Sequence, residues 1–130
     1  MTYPKEYRYT REHEWARVDE DGTVVVGITD YAQDALGEIV HLELPSEGDF
    51  VKKGDTFGVI ESTKSVADLF APVSGRVVEV NDVLVDSLEV LGEDPYEEGW
   101  MVRIRPTDSD ELDELMDASE YEELVGELEE

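Results

Sequence analysis

Short apolar, strand-like runs recur along the chain and predict β-strands. Six runs fit this pattern, at residues 14–18, 23–29, 38–44, 57–61, 76–80 and 100–105. In the third run, Val40, Leu42 and Leu44 should share one face of a half-buried strand, with the polar residues between them on the other face. Turn-forming residues separate the runs, as antiparallel strands require. The pattern therefore predicts a mainly β fold, either a sandwich or a barrel.

One short helix is predicted between the second and third strands, at residues 30–37. Asp30 is the expected N-cap, Gln33 follows three residues later, and Gly37 is a typical helix stop. This is an internal helix in a β region.

After Pro106 the apolar spacing changes to that of helices. Residues 108–111 favour a helix N-terminus, and Ser119 with Glu122 is expected to open a second helix. The expected apolar faces are Leu112, Leu115 and Met116 in the first helix, and Tyr121, Leu124, Val125 and Leu128 in the second. The second stripe should pack back on the sheets. We therefore predict one domain over 1–130, with a β core at about 23–105 and a C-terminal helical segment at about 107–130.

The charge of the chain is far from zero. Ten Lys and Arg stand against 35 Asp and Glu, a net charge of −25. Such a surface repels phosphate backbones and anionic lipids, so neither nucleic acid nor a membrane is an expected partner. Self-repulsion of this size is relieved by concentrated salt, which favours a high-salt cytoplasm. The alternative is an acidic protein of an ordinary cytosol.

Several classes of site are excluded or disfavoured. There is no cysteine, which excludes disulfides, thiolate metal sites and cysteine nucleophiles. His13, Glu14 and His41 do not have the spacing of a metal motif, so no metal site is expected. No G-x-S-x-G elbow and no phosphate-binding glycine loop occurs, so no catalytic residue is predicted. No apolar run could span a bilayer and the first residues lack a secretory pattern, so we expect a cytoplasmic protein.

Lys64 stands between two apolar, strand-like runs. It lies ten residues after Gly54 and eleven before Gly75. Polar Ser62, Thr63 and Ser65 suit the exposed tip of a hairpin, so Lys64 should point into solvent. By position alone it would be an ordinary solvated charge.

The motifs around Lys64 indicate instead that this lysine carries a covalent modification. A glycine turn, a lysine hairpin and then the segment APVSG at residues 71–75 resemble lipoyl and biotinyl carrier domains. Thr63 and Ser65 stand where biotinyl carriers usually have methionine, which favours lipoate. Over nearly the whole chain, the flanking blocks resemble the glycine cleavage H-protein family: YTREHEWARV, VGITDYAQDALGEIVHLELP, GVIESTKSVADLFAPVSGRVVEVN, EDPYEEGWMVRI and ELDELMDASEYEEL. Residues 87–92 fit least well, and the dense acid is atypical.

The resemblance implies a fold and a function. The fold is a barrel-sandwich hybrid of two antiparallel sheets with a short internal helix and C-terminal helices. Lipoic acid, joined by an amide to Lys64, would carry an aminomethyl group from glycine decarboxylase to a folate-dependent aminomethyltransferase. Electrons would pass to dihydrolipoyl dehydrogenase, and a lipoate-attaching enzyme would load the lysine. The chain itself would be a non-catalytic carrier and a monomer.

Two alternatives remain open at this point. One is a lipoyl-relay protein that donates the lipoate of Lys64 to other enzymes. The other is an unmodified interaction protein that has kept the fold.

The lipoyl group on Lys64 would form a long flexible arm that carries the aminomethyl group at its end. The resemblance also implies a cleft that shelters this loaded arm. A cationic amine at the end of the arm could be held by carboxylates at the edge of an apolar groove. By their positions in REHEW and KSVAD, Glu14 and Asp68 are the candidates. Glu12 stands where relatives often have a hydroxyl residue.

Overall fold

The computed structural model describes residues 3–128, which form two antiparallel sheets with short helices. The larger sheet has the order β1-β2-β3-β9-β8-β5 and the smaller the order β4-β6-β7. The larger sheet contains β1 (Arg8–Tyr9), β2 (Glu14–Val18), β3 (Val24–Ile28), β5 (Phe50–Val51), β8 (Gly75–Val80) and β9 (Val102–Pro106). The smaller sheet contains β4 (Ile39–Glu43), β6 (Thr56–Ser62) and β7 (Val66–Phe70). The predicted mainly β, two-sheet class is confirmed, and all six predicted strands are found.

The helices lie between the strands and after the last one. They are α1 (Asp30–Leu36), α2 (Asp82–Asp86), α3 (Val90–Glu93), a 3-10 helix (Ser109–Glu114) and α4 (Ala118–Leu128). The sequence did not predict α2 or α3, each of only four or five residues. Elements this short bury too little of one face to leave a periodic pattern.

The internal helix starts one residue earlier than predicted. Thr29, not Asp30, is the N-cap of α1, because the Thr29 side chain accepts a hydrogen bond from the Ala32 N–H. Asp30 is instead the first helical residue, and its carboxylate accepts from the Gln33 amide at 2.8 Å. The predicted stop is correct: Gly37 ends α1 with φ of 81°, in the region that favours glycine.

The expected alternation in β4 fails at Val40. The register between β4 and β6 shifts between Ile39 and His41, which leaves Val40 as the extra residue of a β-bulge. Leu42 is buried as predicted, but Val40 is 46% exposed. The bulge therefore turns Val40 toward solvent and away from the face of Leu42.

The C-terminal segment differs from its prediction in three ways. The first predicted helix is a 3-10 helix at Ser109–Glu114, which ends before Leu115 and Met116 of the expected apolar face. α4 begins at Ala118, because Asp117 and Glu120 exchange backbone-to-carboxylate hydrogen bonds of 2.8 and 3.1 Å in place of the expected Ser119 and Glu122 pair. Leu128 is 51% exposed and does not continue the apolar stripe.

Two apolar clusters are formed because β2 and β3 are covered on both faces. One lies between the sheets and includes Ala16, Val26 and Ile60. The other is largely aromatic, with Trp15 and Val25 packed against Tyr121 and its neighbours on α4. The prediction that the α4 stripe packs on the sheets is confirmed for Tyr121 and Val125. α4 is thus packed against β2 and β3, on the face of these strands that is opposite the cluster between the sheets.

Candidate functional site

Lys64 lies at the tip of the hairpin that joins β6 to β7. The Ser62 N–H donates to the Ser65 carbonyl at 2.8 Å, and the Ser62 hydroxyl oxygen accepts from the N–H groups of Lys64 and Ser65. Ser62 itself is buried, contrary to the expectation that it lies at an exposed tip. The Thr63 N–H donates to the Glu38 carbonyl at 3.0 Å, which ties the tip to the start of β4. The backbone around Lys64 is therefore well fixed.

The Lys64 side chain is exposed, as predicted, and lies beside the end of α1. A methyl group added at Gly37 would stand 3.5 Å from Lys64 Cε and 3.8 Å from Nζ. Over residues 3–128, none of the ion pairs includes Lys64. Its amine is thus available for chemical modification.

An apolar cleft of about 280 Å³ opens between α1 and the strands near Lys64. We call it the α1 cleft. Its apolar lining is Ile28, Ala32, Ala35, Leu36, Ile60, Ala67 and Leu69, and its polar lining is Glu12, His13, Glu14, Tyr31 and Asp68. The structure therefore brings the two predicted carboxylates, Glu14 and Asp68, to one cleft, together with Glu12.

Glu14 is buried rather than exposed at the rim. It is 1% exposed. One carboxylate oxygen accepts from the Thr10 hydroxyl at 2.6 Å and the other from the Phe70 N–H at 3.1 Å. Burial raises the pKa of Glu14 to about 8, although both hydrogen bonds oppose the shift. Glu14 is therefore largely protonated near neutral pH.

Glu14 also lines a second cavity, on the side away from α1. This cavity has a volume of about 340 Å³ and its lining includes Tyr9, Lys53, Phe70 and Met116. Asp68 and Glu12 differ from Glu14 because their side chains are exposed at the α1 cleft.

His13 is a cleft residue that the sequence analysis considered only as a metal ligand. Its ring contacts Tyr31 and hydrogen-bonds Tyr121, 108 positions away in the chain. No local sequence pattern reports a partner so distant.

Within the described part of the chain, no cluster of His, Asp and Glu residues could hold a metal ion. The helices of residues 3–128 include none with the length and apolar character of a membrane span.

Comparison with known proteins identifies the family. The glycine cleavage H-protein family model matches residues 7–128. A glycine cleavage system H protein of Anaeromyxobacter sp. (strain K) is 58% identical over 129 residues, which is 99% of this chain and 100% of that protein. One from Staphylococcus epidermidis is 50% identical over 127 residues, 98% of this chain and 100% of the relative.

A solved structure agrees with this assignment. The crystal structure of a glycine cleavage system H protein from Mycobacterium marinum matches with a TM-score of 0.88 and 43% identity, over 95% of this chain and 99% of that one. Members of the family act as non-catalytic lipoyl carriers. From its sequence, its two-sheet fold and these matches, the chain belongs to the glycine cleavage H-protein family and has the carrier function of that family.

Proposed function

We propose that Lys64 is the lipoyl attachment site and that the chain is a shuttle between three enzymes. The lipoyl carboxyl group would form an amide with Lys64 Nζ. The loaded chain would take an aminomethyl group from glycine decarboxylase to the folate-dependent aminomethyltransferase and deliver electrons to dihydrolipoyl dehydrogenase. The observation that carries this proposal is an exposed lysine without an ion pair in residues 3–128, on a well-fixed hairpin tip beside an apolar cleft.

The residues around Lys64 fit a lipoyl group. Its amine is free to be acylated, whereas Lys53 is held 3.0 Å from the Glu114 carboxylate. Amide formation removes the positive charge of Lys64 without breaking an ion pair of the described residues. When bound, the group supplies a disulfide that accepts the aminomethyl unit and electrons, chemistry that a chain without cysteine cannot supply itself.

The α1 cleft would shelter the end of the arm. Its apolar lining suits the hydrocarbon part of the arm and limits the access of water. A primary amine is cationic near neutral pH, so Asp68 would attract it at the entrance. Inside the cleft, the cation would favour release of the Glu14 proton, after which the Glu14 carboxylate could form a charge-assisted hydrogen bond with the amine. Glu12 lines the same cleft and would add to its negative potential.

Mass analysis tests the attachment site. The intact chain from its native host is expected to exceed the bare mass by one lipoyl group, and the added mass should map to the peptide that contains Lys64. Lys52 and Lys53 are internal controls, since they lie in the same protein but away from the hairpin tip. Absence of the added mass, or its location on either control lysine, would overturn the proposal.

Substitution of Lys64 tests the shuttle role. Lys64→Arg should keep the fold, because the side chain is exposed and guanidinium keeps the charge. Guanidinium does not accept the lipoyl amide, so reconstituted glycine cleavage should stop. Lys53→Arg is the matched control and should support glycine cleavage at the wild-type rate. Turnover by Lys64→Arg close to wild type would contradict the assignment.

A further inference from the structure

A chain of buried hydrogen bonds joins the N-terminus of α1 to α4 and ends at His13. The Ala32 N–H donates to Thr29 Oγ1 at 3.2 Å. Thr29 Oγ1 lies 2.7 Å from Tyr121 Oη, which in turn lies 2.8 Å from His13 Nδ1. Thr29 and Tyr121 are both fully buried. The four groups therefore form one connected path through the protein interior.

The direction of this chain follows from the number of hydrogens on each group. Thr29 Oγ1 already accepts from Ala32, and among residues 3–128 its own hydroxyl hydrogen can reach only Tyr121 Oη. A buried hydroxyl hydrogen needs an acceptor, so Thr29 donates to Tyr121. Tyr121 has one hydrogen, which must then go to His13 Nδ1. His13 is thereby assigned as a neutral imidazole with its proton on Nε2.

We propose that His13 is a positioning residue for the α1 cleft, and that its Nδ1 acceptor holds α1 in place through Tyr121 and Thr29. Residues of α1 form one wall of that cleft, and the His13 ring packs on Tyr31 of the same helix with the ring centres 4.8 Å apart. The His13 carbonyl also accepts from the Thr29 N–H at 3.0 Å. The consequence for the arm depends on the proposed function of Lys64, whereas the hydrogen-bond chain does not.

Protonation of His13 at Nδ1 would reverse the direction of donation along the hydrogen-bond chain. An Nδ1–H donates, so Tyr121 would have to donate to Thr29, and the Thr29 hydroxyl hydrogen would lose its acceptor. Burial lowers the pKa of His13, which favours the neutral form. The titratable groups around His13 are Glu12 and Glu14 on its own segment, Asp68 from β7, and the phenols of Tyr31 and Tyr121.

The backbone of His13 indicates the informative substitution. Its φ is 73°, a left-handed conformation that asparagine adopts more readily than most residues. In His13→Asn, the side-chain oxygen lies near the position of Nδ1 and can accept from Tyr121 at any pH. Tyr121→Phe removes the central link but keeps the ring. Tyr9→Phe is the matched control. Tyr9 stacks on Tyr121 in the same cluster, but its hydroxyl donates to the Pro4 carbonyl and takes no part in the hydrogen-bond chain.

Two measurements on the unlipoylated protein test the hydrogen-bond chain, and neither depends on the lipoyl group. Nitrogen NMR of the His13 ring should show the Nε2–H tautomer at neutral pH. Hydrogen-exchange protection of the α1 amides should fall as His13 becomes protonated in the wild type and should not fall over the same pH range in His13→Asn. Tyr121→Phe should lower this protection by about tenfold, the effect of losing roughly one buried hydrogen bond, whereas Tyr9→Phe should not.

The outcomes separate this proposal from the lipoyl assignment. An Nδ1–H tautomer, equal α1 protection in Tyr121→Phe and Tyr9→Phe, or a loss of protection on acidification that persists in His13→Asn would overturn the positioning role while leaving Lys64 untouched. With the aminomethyl-loaded chain, Tyr121→Phe should release the group faster than Tyr9→Phe, and equal rates would also overturn it. A chain without lipoate on Lys64 would overturn only the proposed function.

Discussion

The Phe70 N–H donates to the carboxyl group of Glu14 at 3.1 Å, and this bond joins the two sheets. Phe70 ends β7 of the smaller sheet, and Glu14 begins β2 of the larger one. The same carboxylate accepts from Thr10 and lines the α1 cleft. One buried side chain thus serves both the packing of the sheets and the candidate arm site.

The first prediction concerns the pH dependence of stability. The pKa of Glu14 is about 8 in the folded state, against 4.5 for a solvated side chain. Between these pH values the folded chain keeps a proton that the unfolded chain has released, so stability falls as pH rises through this window. The free energy of unfolding of wild type, relative to Glu14→Gln, should decline by up to about 1.4 kcal/mol per pH unit. Urea unfolding of both chains across the window measures this difference.

The slope is the informative quantity in that experiment. Both carboxylate oxygens of Glu14 accept hydrogen bonds, so a glutamine must turn its NH₂ group toward a donor, which adds a constant loss of stability at all pH values. Glu122→Gln, at an exposed position on α4, is the control and should show no comparable slope. Parallel curves for wild type and Glu14→Gln would show that Glu14 has an ordinary pKa.

The second prediction concerns the contact between β8 and β9. A methyl group at Gly75 would clash with the Arg105 carbonyl oxygen, a backbone atom that cannot move aside without disturbing the strand pair. Gly75→Ala should therefore reduce the free energy of unfolding by roughly 2 kcal/mol or more. Gly126→Ala is the matched control. Among residues 3–128, no atom other than those of the adjacent residues and the nearby helix backbone lies within 4 Å of the added methyl, and alanine favours helix α4 by about 0.5–1 kcal/mol. Equal stabilities of the two variants in urea would contradict the close approach.

The sequence predicted the strands and the Lys64 hairpin because both depend on local features. Alternation follows from the two-residue repeat of a strand, and Ser, Thr and Gly mark the turns. It failed at Val40, because a bulge adds one residue opposite the partner strand and no composition signal reports it. The predicted N-cap Asp30 was off by one residue, since Thr29 and Asp30 are both good caps and only the bond to Ala32 distinguishes them.

The candidate site residues depend on sequence features of different range. Lys64 was proposed from a contiguous motif, and Glu14 and Asp68 from their positions in family blocks. The burial of Glu14 was not foreseen, because it depends on Phe70, which is 56 positions away. The partner of His13 comes from α4, at the opposite end of the chain. Contacts of this kind arise only when the whole fold is assembled.

The third prediction concerns salt. The chain has a net charge of −25. In residues 3–128 only four of its 35 acidic side chains take part in ion pairs, namely Asp19, Glu43, Glu79 and Glu114. Most acidic side chains therefore repel one another without local compensation. Raising KCl from about 0.1 M to about 2 M should screen this repulsion and raise Tm by roughly 5 °C or more. An increase no larger than that of an ordinary acidic protein of similar size, measured in parallel, would remove the argument for a high-salt cytoplasm.

The fourth prediction concerns the protection of the loaded arm. An aminomethyl group on sulfur is open to breakdown in water, so its lifetime depends on how the cleft holds the amine and excludes solvent. Glu14→Gln combined with Asp68→Asn removes both candidate carboxylates but leaves Lys64 and the hairpin turn intact. The double variant should be lipoylated normally and should release formaldehyde and ammonia several-fold faster than wild type once the decarboxylase has been removed, since each lost charge-assisted bond contributes roughly 1 kcal/mol or more.

A matched control separates contact with the amine from a general change in potential. Glu122→Gln with Asp110→Asn makes the same two carboxyl-to-amide changes at exposed positions outside the α1 cleft. Its release rate should equal that of wild type. If Glu14 holds the amine from inside the cleft and Asp68 from its entrance, Glu14→Gln alone should account for the larger part of the acceleration, because a buried charge is screened less by water than an exposed one. A release rate of the double variant equal to that of its control would remove both carboxylates from the protective role.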